Sequence, residues 1–498
     1  MSRPMTSTSR RESAMFRRAV VSCVVASFIT CQSAYGQADS AADKQMEWKA
    51  GVASTVITPQ QPMWMAGYAA RDRPSEGKVG DLRAKALAVE DAGGTRLVIV
   101  TMDLLGLSRS SRDWLEKESG RLYNLPPEGL LLNASHTHCG PALHEERFSI
   151  YGDSICSLTP EQVQQSKQYL EELHQKLLRL VGGAIEAMAP ARLSYSHARA
   201  GFAMNRRSKT EGGYQIQPNP DGPVDHDVPV LRVDNPDGTL RAVVFGYACH
   251  CTTLSFYEFC GDHAGFAQEY IEEAHPGVTA LFVAGCGADQ NPYPRGGPRT
   301  LEYCKEHGRA LANGVETALI PRARPVAGPI RAAIDTVTLE FAEPPGRAQL
   351  ETQIKSENKY ERAHAQVLLD ELGQAGRIQT TYPYLVQVVD FGDDLTMIAL
   401  SGEVVVDYSL RLKAELADRT VWVAGYCNDV FGYLPSLRVL QEGGYESGGA
   451  MLYTPLPGPF APSVEKLVVD KVHELVRKVR MPKGTETVVS GGISGQER

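Results

Sequence analysis

The chain has 498 residues, 43% hydrophobic and 22% charged, with a formal net charge of −8. This is the composition of a globular protein able to bury a large core without help from disulfides. The acidic balance, with no basic patch interleaved with aromatic residues, argues against a nucleic-acid binder.

Residues 1–36 read as a secretory signal. Arg10, Arg11, Arg17 and Arg18 form its basic start, an apolar run covers Ala19 to Thr30, and small residues at Ser33, Ala34 and Gly36 precede Gln37. That run is short for a bilayer span, and no later stretch has eighteen consecutive apolar residues, so the expectation is a secreted or periplasmic protein with no transmembrane segment once the signal is removed. Residues 37–47 read as a flexible leader, 48–485 as one domain and 486–498 as a flexible tail.

From Trp48 the pattern alternates like a strand, and Arg83–Glu90 does the same. Leu97–Met102 is continuously apolar, as in a strand buried on both faces. Ser108–Tyr123 reads as a helix with serine caps. Leu130–Asn133 is a short buried strand that runs straight into Ser135-His136-Thr137-His138. Further helices are expected at Pro160–Met188, His263–Ala274, Leu301–Leu319, 348–372 and 463–480. Further strands are expected at Ala191–Phe202, Val228–Val233, Val243–Ala248, Thr279–Ala284, Ile330–Phe341, Tyr384–Phe391, Leu395–Leu400 and Val421–Gly425. Interleaved strands and helices imply an α/β fold with a mixed β-sheet core flanked by helices. The Gly/Pro-rich stretches 211–223, 291–298 and 455–462 read as loops.

Four of these strands end at a group able to bind a metal. His136 and His138 follow the strand at 130, and His250 follows the strand Val244–Ala248. Glu403 follows Met397–Leu400, and Tyr433 lies beyond Val421–Gly425. Ligand sites of open α/β sheets lie just outside strand ends, so these loops can converge. Taken singly, each has a plain structural alternative: a hydrogen-bonded loop histidine, a helix-capping carboxylate, a packed tyrosine. The Gly285–Pro292 loop and Arg206 also follow strands. Beyond the signal there are eight cysteines (139, 156, 249, 251, 260, 286, 304 and 427). They allow 105 full pairings and include no C-x-x-C pair, so burial or local disulfides are expected rather than a thiolate metal site.

Read together, Val56-Ile57-Thr58-Pro59 with Ala66-Gly67-Tyr68, Ser135-His136-Thr137-His138 with Gly140-Pro141, His250 with Thr252-Thr253, Gly402-Glu403, and Asn428–Tyr433 with Tyr445-Glu446 resemble the N-terminal catalytic domain of the neutral/alkaline non-lysosomal ceramidases. The resemblance spans residues 48 to about 455 in one order. It implies that family's catalytic fold, without its C-terminal sandwich domain. It implies one Zn²⁺ held by His136, His250, Glu403 and Tyr433, with His138 as acid/base and Arg206 and Tyr445 as binders of the substrate carbonyl and its oxyanion. Asn291 stands where the family carries a serine before proline. An amide can donate to an oxyanion but cannot be a nucleophile, so amide cleavage by metal-activated water survives the change. The implied substrate is a ceramide or related N-acyl lipid. A non-lipid amide or ester from extracellular glycan or peptide is the alternative, favoured if Arg207 and Arg295 line a polar pocket. A non-catalytic zinc-binding envelope protein is the third reading.

Overall fold

The computed structural model describes residues 48–143, 158–321 and 323–481. The expected signal, leader and tail lie outside the described residues, as does Cys156. Among the described residues no helix is long and apolar enough to cross a membrane.

The mixed sheet has nine strands. Its order is 279–284, 240–247, 227–234, 189–199, 48–56, 83–90, 96–102 and 130–134, with 324–326 paired to 189–199. The pairs at its two ends, 240–247 with 279–284 and 96–102 with 130–134, are parallel, and the pairs between them are antiparallel. A second sheet of four strands runs 330–340, 381–391, 395–400, 421–424, and its last pair is parallel.

Strand periodicity assigns the layers. Leu87, Ile99, Leu131, Val244 and Leu281 point from the large sheet into a core shared with Val389, Phe391, Met397 and Trp422 of the small one. Their neighbours face the other way. Ala86, Val98 and Leu132 pack on Leu173, Leu177 and Val181 of the helix Pro160–Glu186. Val243, Phe245 and Phe282 pack on Ile271, Leu311 and Val315 of the helices Asp262–Ala274 and Thr300–Leu319. On the far side of the small sheet, Val388, Ile398 and Leu400 meet Val468, Val472 and Leu475 of the helix Val464–Arg480. The order is therefore helix, sheet, sheet, helix. Strands between two apolar layers must be apolar on both faces, which explains the continuous run Leu97–Met102.

Two expected elements differ. The helix expected at 348–372 is two, Arg347–Gln353 and Lys359–Ala375, because the Asn358 side chain caps a new start by accepting from Tyr360 N. Part of the stretch read as a loop at 211–223 is a strand, Gly213–Asn219, paired to Ala203–Thr210. Tyr214 and Ile216 alternate with glutamines there, a strand pattern that the flanking glycines obscure.

One buried side chain bridges the two sheets at the strand ends. Asn133, fully buried at the end of its strand, accepts from Ala284 N (2.8 Å) and donates to Gly425 O (2.8 Å). It thus ties the last strand of the large sheet to the sheet's other edge and to the small sheet. Asn133→Leu keeps the volume but strips both backbone partners, at about 1–3 kcal/mol for each buried group left unpaired. Urea unfolding should show a fall in midpoint; an unchanged midpoint would contradict this role.

Candidate metal centre

His136, His250, Glu403 and Tyr433 come from four strand ends, and the fold brings all four together. His136 has φ +61, a left-handed backbone that turns the chain out of the strand. Tyr426 and Asn428, beside it, are left-handed as well. Three of the five such non-glycine residues among those described lie here, where sheet contacts over-determine the backbone: Ala134 N donates to Tyr426 O (3.2 Å) and Asn428 N to Leu132 O (3.0 Å). Glu403 and Tyr433 sit opposite each other in a short parallel pairing.

The hydrogen bonds fix the imidazole tautomers. His136 Nδ1 lies 2.7 Å from Leu105 O and His250 Nδ1 lies 2.8 Å from Gly287 O. A carbonyl only accepts, so each Nδ1 carries the proton and each Nε2 a lone pair. Burial first, then the charge of Arg206, lowers the His250 pKa to about 3, so that ring is neutral at pH 7. Glu403 Oε2 lies 3.1 Å from His136 Nε2 and 3.3 Å from His250 Nε2, and it has no hydrogen-bond donor. The Tyr433 hydroxyl is 3.3 Å from His250 Nε2. Glu403 Oε2 and the two Nε2 lone pairs thus face one another in a buried place with no proton between them, a costly arrangement unless a cation sits among them. The spacing suits one: tetrahedral zinc with bonds near 2.0–2.1 Å sets its ligand atoms roughly 3.3 Å apart. The four residues therefore fit a zinc ion.

His138 adjoins the same point. Its Nε2 is 3.2 Å from His136 Nε2, and the nitrogens of His136, His138 and His250 all lie within 4.8 Å of one another. Burial, then the neighbouring His136 and His250, pushes its pKa well below the ordinary histidine value. Its Nδ1 is buried without a partner. Tyr68 packs on its ring at 4.9 Å, and Gly67 (φ +94) leaves room for it: a Cβ there would stand 2.5 Å from His138 Nδ1.

Arg206 is buried, and all three of its guanidinium nitrogens are engaged. They donate to Glu446 (2.8 Å), Asn291 Oδ1 (3.2 Å) and the Tyr433 hydroxyl (2.9 Å). Asn291 thus lies behind Arg206, where its oxygen also accepts from Thr252 (3.3 Å). Tyr445 is half-buried, 5.4 Å from Tyr433 ring to ring.

The centre opens on a cavity of about 330 Å³ whose lining includes His136, His138, Glu403, Tyr433 and Tyr445. The walls are mostly apolar or aromatic, with Trp64, Met65, Leu105, Leu143 and Leu158 among them. Ile216 of the unexpected strand lines it too while 46% exposed. Neither Arg207 nor Arg295 lines it. Arg207 pairs with Glu442 and Glu446, and Arg295 donates to Thr252. The sequence reading missed these walls, the Leu105 and Gly287 carbonyls, and the use of Glu446. Only the Tyr445-Glu446 motif hinted at the last. The seven described cysteines are all buried free thiols.

Glu403→Gln removes the one charge that only a cation compensates. Its metal-free melting temperature should hold or rise, since an uncompensated buried carboxylate is gone. Zinc at 1,000 times its Kd adds about 4 kcal/mol to a protein that binds it only when folded. The variant should lose most of the corresponding shift in melting temperature. A wild-type-sized shift would contradict Glu403 as a donor.

The family model for neutral/alkaline non-lysosomal ceramidases, N-terminal, matches residues 48–310. Among curated proteins the chain is similar to neutral ceramidase A of Dictyostelium discoideum, 24% identical over 47% of this chain and 34% of that protein. It is similar also to neutral ceramidase B of the same organism, 24% identical over 43% of this chain and 31% of that protein. The match spans about a third of the length of these relatives. Among solved structures, neutral ceramidase from Pseudomonas aeruginosa superposes with a TM-score of 0.69 at 17% identity, covering 88% of this chain and 75% of that one. A ceramidase complexed with C2 gives 0.66 at 17% identity, covering 86% and 76%. The mixed α/β fold is thus that of the neutral ceramidase structures. With the family model matched over more than half its length, the chain belongs to the neutral/alkaline non-lysosomal ceramidase family.

Proposed function

We propose that the chain is a zinc-dependent amidohydrolase that cleaves a ceramide or a closely related N-acyl lipid. The observation that carries this reading is the convergence of His136, His250, Glu403 and Tyr433 at one end of an apolar cavity, with the Glu403 oxygen facing two imidazole lone pairs. A bound Zn²⁺ supplies a Lewis acid that polarises a carbonyl and lowers the pKa of water to roughly 7.

The chain's own groups do the rest. His136 and His250 present Nε2 because their Nδ1 protons are held by backbone carbonyls. His138, neutral through burial, is free to accept a proton from the attacking water and to return it to the leaving amine. Tyr445, reachable from the cavity, donates to the substrate carbonyl oxygen as it gains charge. Arg206 adds its positive charge from behind Tyr433 and Tyr445, 5.8 and 5.9 Å from the two rings. Asn291 serves by holding Arg206. The apolar walls take the acyl chain and keep bulk water from the reacting bond.

The same walls support a lipid over a charged glycan or peptide fragment, since Arg207 and Arg295 are not in the lining and the arginine that is, Arg71, donates to the His138 and Phe256 carbonyls. A closed structural zinc site needs no adjoining cavity or acid/base histidine, which favours catalysis over a binding module.

Purified protein should release fatty acid from a labelled short-chain ceramide, lose that activity to a zinc chelator and regain it with zinc. His138→Ala should lower kcat by about 10²–10⁴-fold while zinc stays bound. No hydrolysis by the zinc-loaded wild type would exclude ceramide. Loss of zinc from His138→Ala would make His138 a ligand rather than the acid/base.

A further inference from the structure

Glu446 touches neither the cavity nor the metal donors, yet it is only 2% exposed and both its oxygens are used. Oε1 accepts from Arg206 Nε at 2.8 Å and Oε2 from Arg207 Nη1 at 2.6 Å. Arg207 has other anchors: it also donates to Glu442 (3.0 Å) and to Gly443 O (2.8 Å). Arg206 has none of that kind. Among the described residues Glu446 is its one carboxylate, and its other two nitrogens go to neutral oxygens, those of Asn291 and Tyr433.

The guanidinium is a rigid planar fork, so fixing Nε against a carboxylate fixes the direction of both Nη atoms. One of them donates at 2.9 Å to the Tyr433 hydroxyl, which lies 3.3 Å from His250 Nε2. A single line of contacts therefore runs from the Glu446 carboxylate through the Arg206 fork to the phenol oxygen at the centre. The same contacts join the 203–210 strand to the 443–446 segment.

We propose that Glu446 is a positioning residue of the metal centre: by clamping Arg206 it holds the Tyr433 oxygen in ligand position. This rests on the reading of Tyr433 as a metal donor. A side chain that merely neutralised a buried arginine would not govern where the phenol sits, and the two cases separate spectroscopically.

Cu²⁺ loaded into the full chain in place of zinc gives a visible charge-transfer band when a phenolate binds it, and imidazole and carboxylate do not. Tyr433→Phe sets the baseline without that band. Glu446→Gln should lose more than half of the wild-type band and weaken zinc binding about 10–100-fold. Glu446→Asp should recover part of both. Glu442→Gln, which removes a carboxylate partner of Arg207 and none of Arg206, should leave the band at wild-type intensity. Arg206→Lys, which keeps the charge but not the fork, should reproduce the loss from the other end and serves if Glu446→Gln does not fold. A full band with wild-type zinc affinity in Glu446→Gln and Arg206→Lys would overturn the positioning role. A wild-type spectrum identical to that of Tyr433→Phe would overturn the reading of Tyr433 as a donor, and the proposal with it.

Discussion

A carboxylate oxygen that faces two imidazole lone pairs inside a protein is the constraint on which this structure turns. Glu403 Oε2 stands within 3.3 Å of both His136 Nε2 and His250 Nε2 and receives no proton. Such a cluster repels itself unless a cation sits in it, so the surrounding chain has to force it together. The forcing is visible. Leu105 and Gly287 carbonyls hold the tautomers, left-handed backbone at His136 and Tyr426 aims the loops, and Asn133 bolts the sheet edges that carry them. Core packing on both faces of the strands supplies the rigidity.

The chemistry and the binding surface grow from the same segments. Tyr433 belongs to the centre, Tyr445 packs on it, Tyr453 on Tyr445, and Tyr360 on Tyr453, with ring separations of 5.4, 6.3 and 5.1 Å. This file of tyrosines lines the same cavity as His136, His138 and Glu403. Tyr360 also donates to the Ala69 carbonyl, so the helix Lys359–Ala375 and the 64–69 segment are bound to each other along the cavity. The 64–69 segment in turn touches His138 through Gly67 and Tyr68. The residues that wall the cavity and the residues that hold His138 are therefore mechanically continuous.

Much of this was legible in the sequence wherever one strand or one motif carried the signal. Apolar runs such as Leu97–Met102 and Leu130–Asn133 located the sheet, and polar groups at strand ends located His136, His250 and Glu403. Tyr433 was the faintest of the four strand-end signals, because a tyrosine is a weak metal signal by itself, and the resemblance is what raised it. Contacts between distant segments were not legible. Nothing local in Glu446 reveals that it meets Arg206, 240 residues away. The Gly213–Asn219 strand was hidden by flanking glycines. The two-sheet arrangement was hidden because a strand buried by a second sheet reads like one buried by helices.

The most direct test of the account is the zinc K-edge X-ray absorption spectrum of the zinc-loaded chain. The account predicts a first shell of nitrogen and oxygen only, near 2.0–2.1 Å, with outer-shell scattering from two imidazole rings and no sulfur. A sulfur shell near 2.3 Å would place the metal on the buried cysteines and contradict the centre built around Glu403.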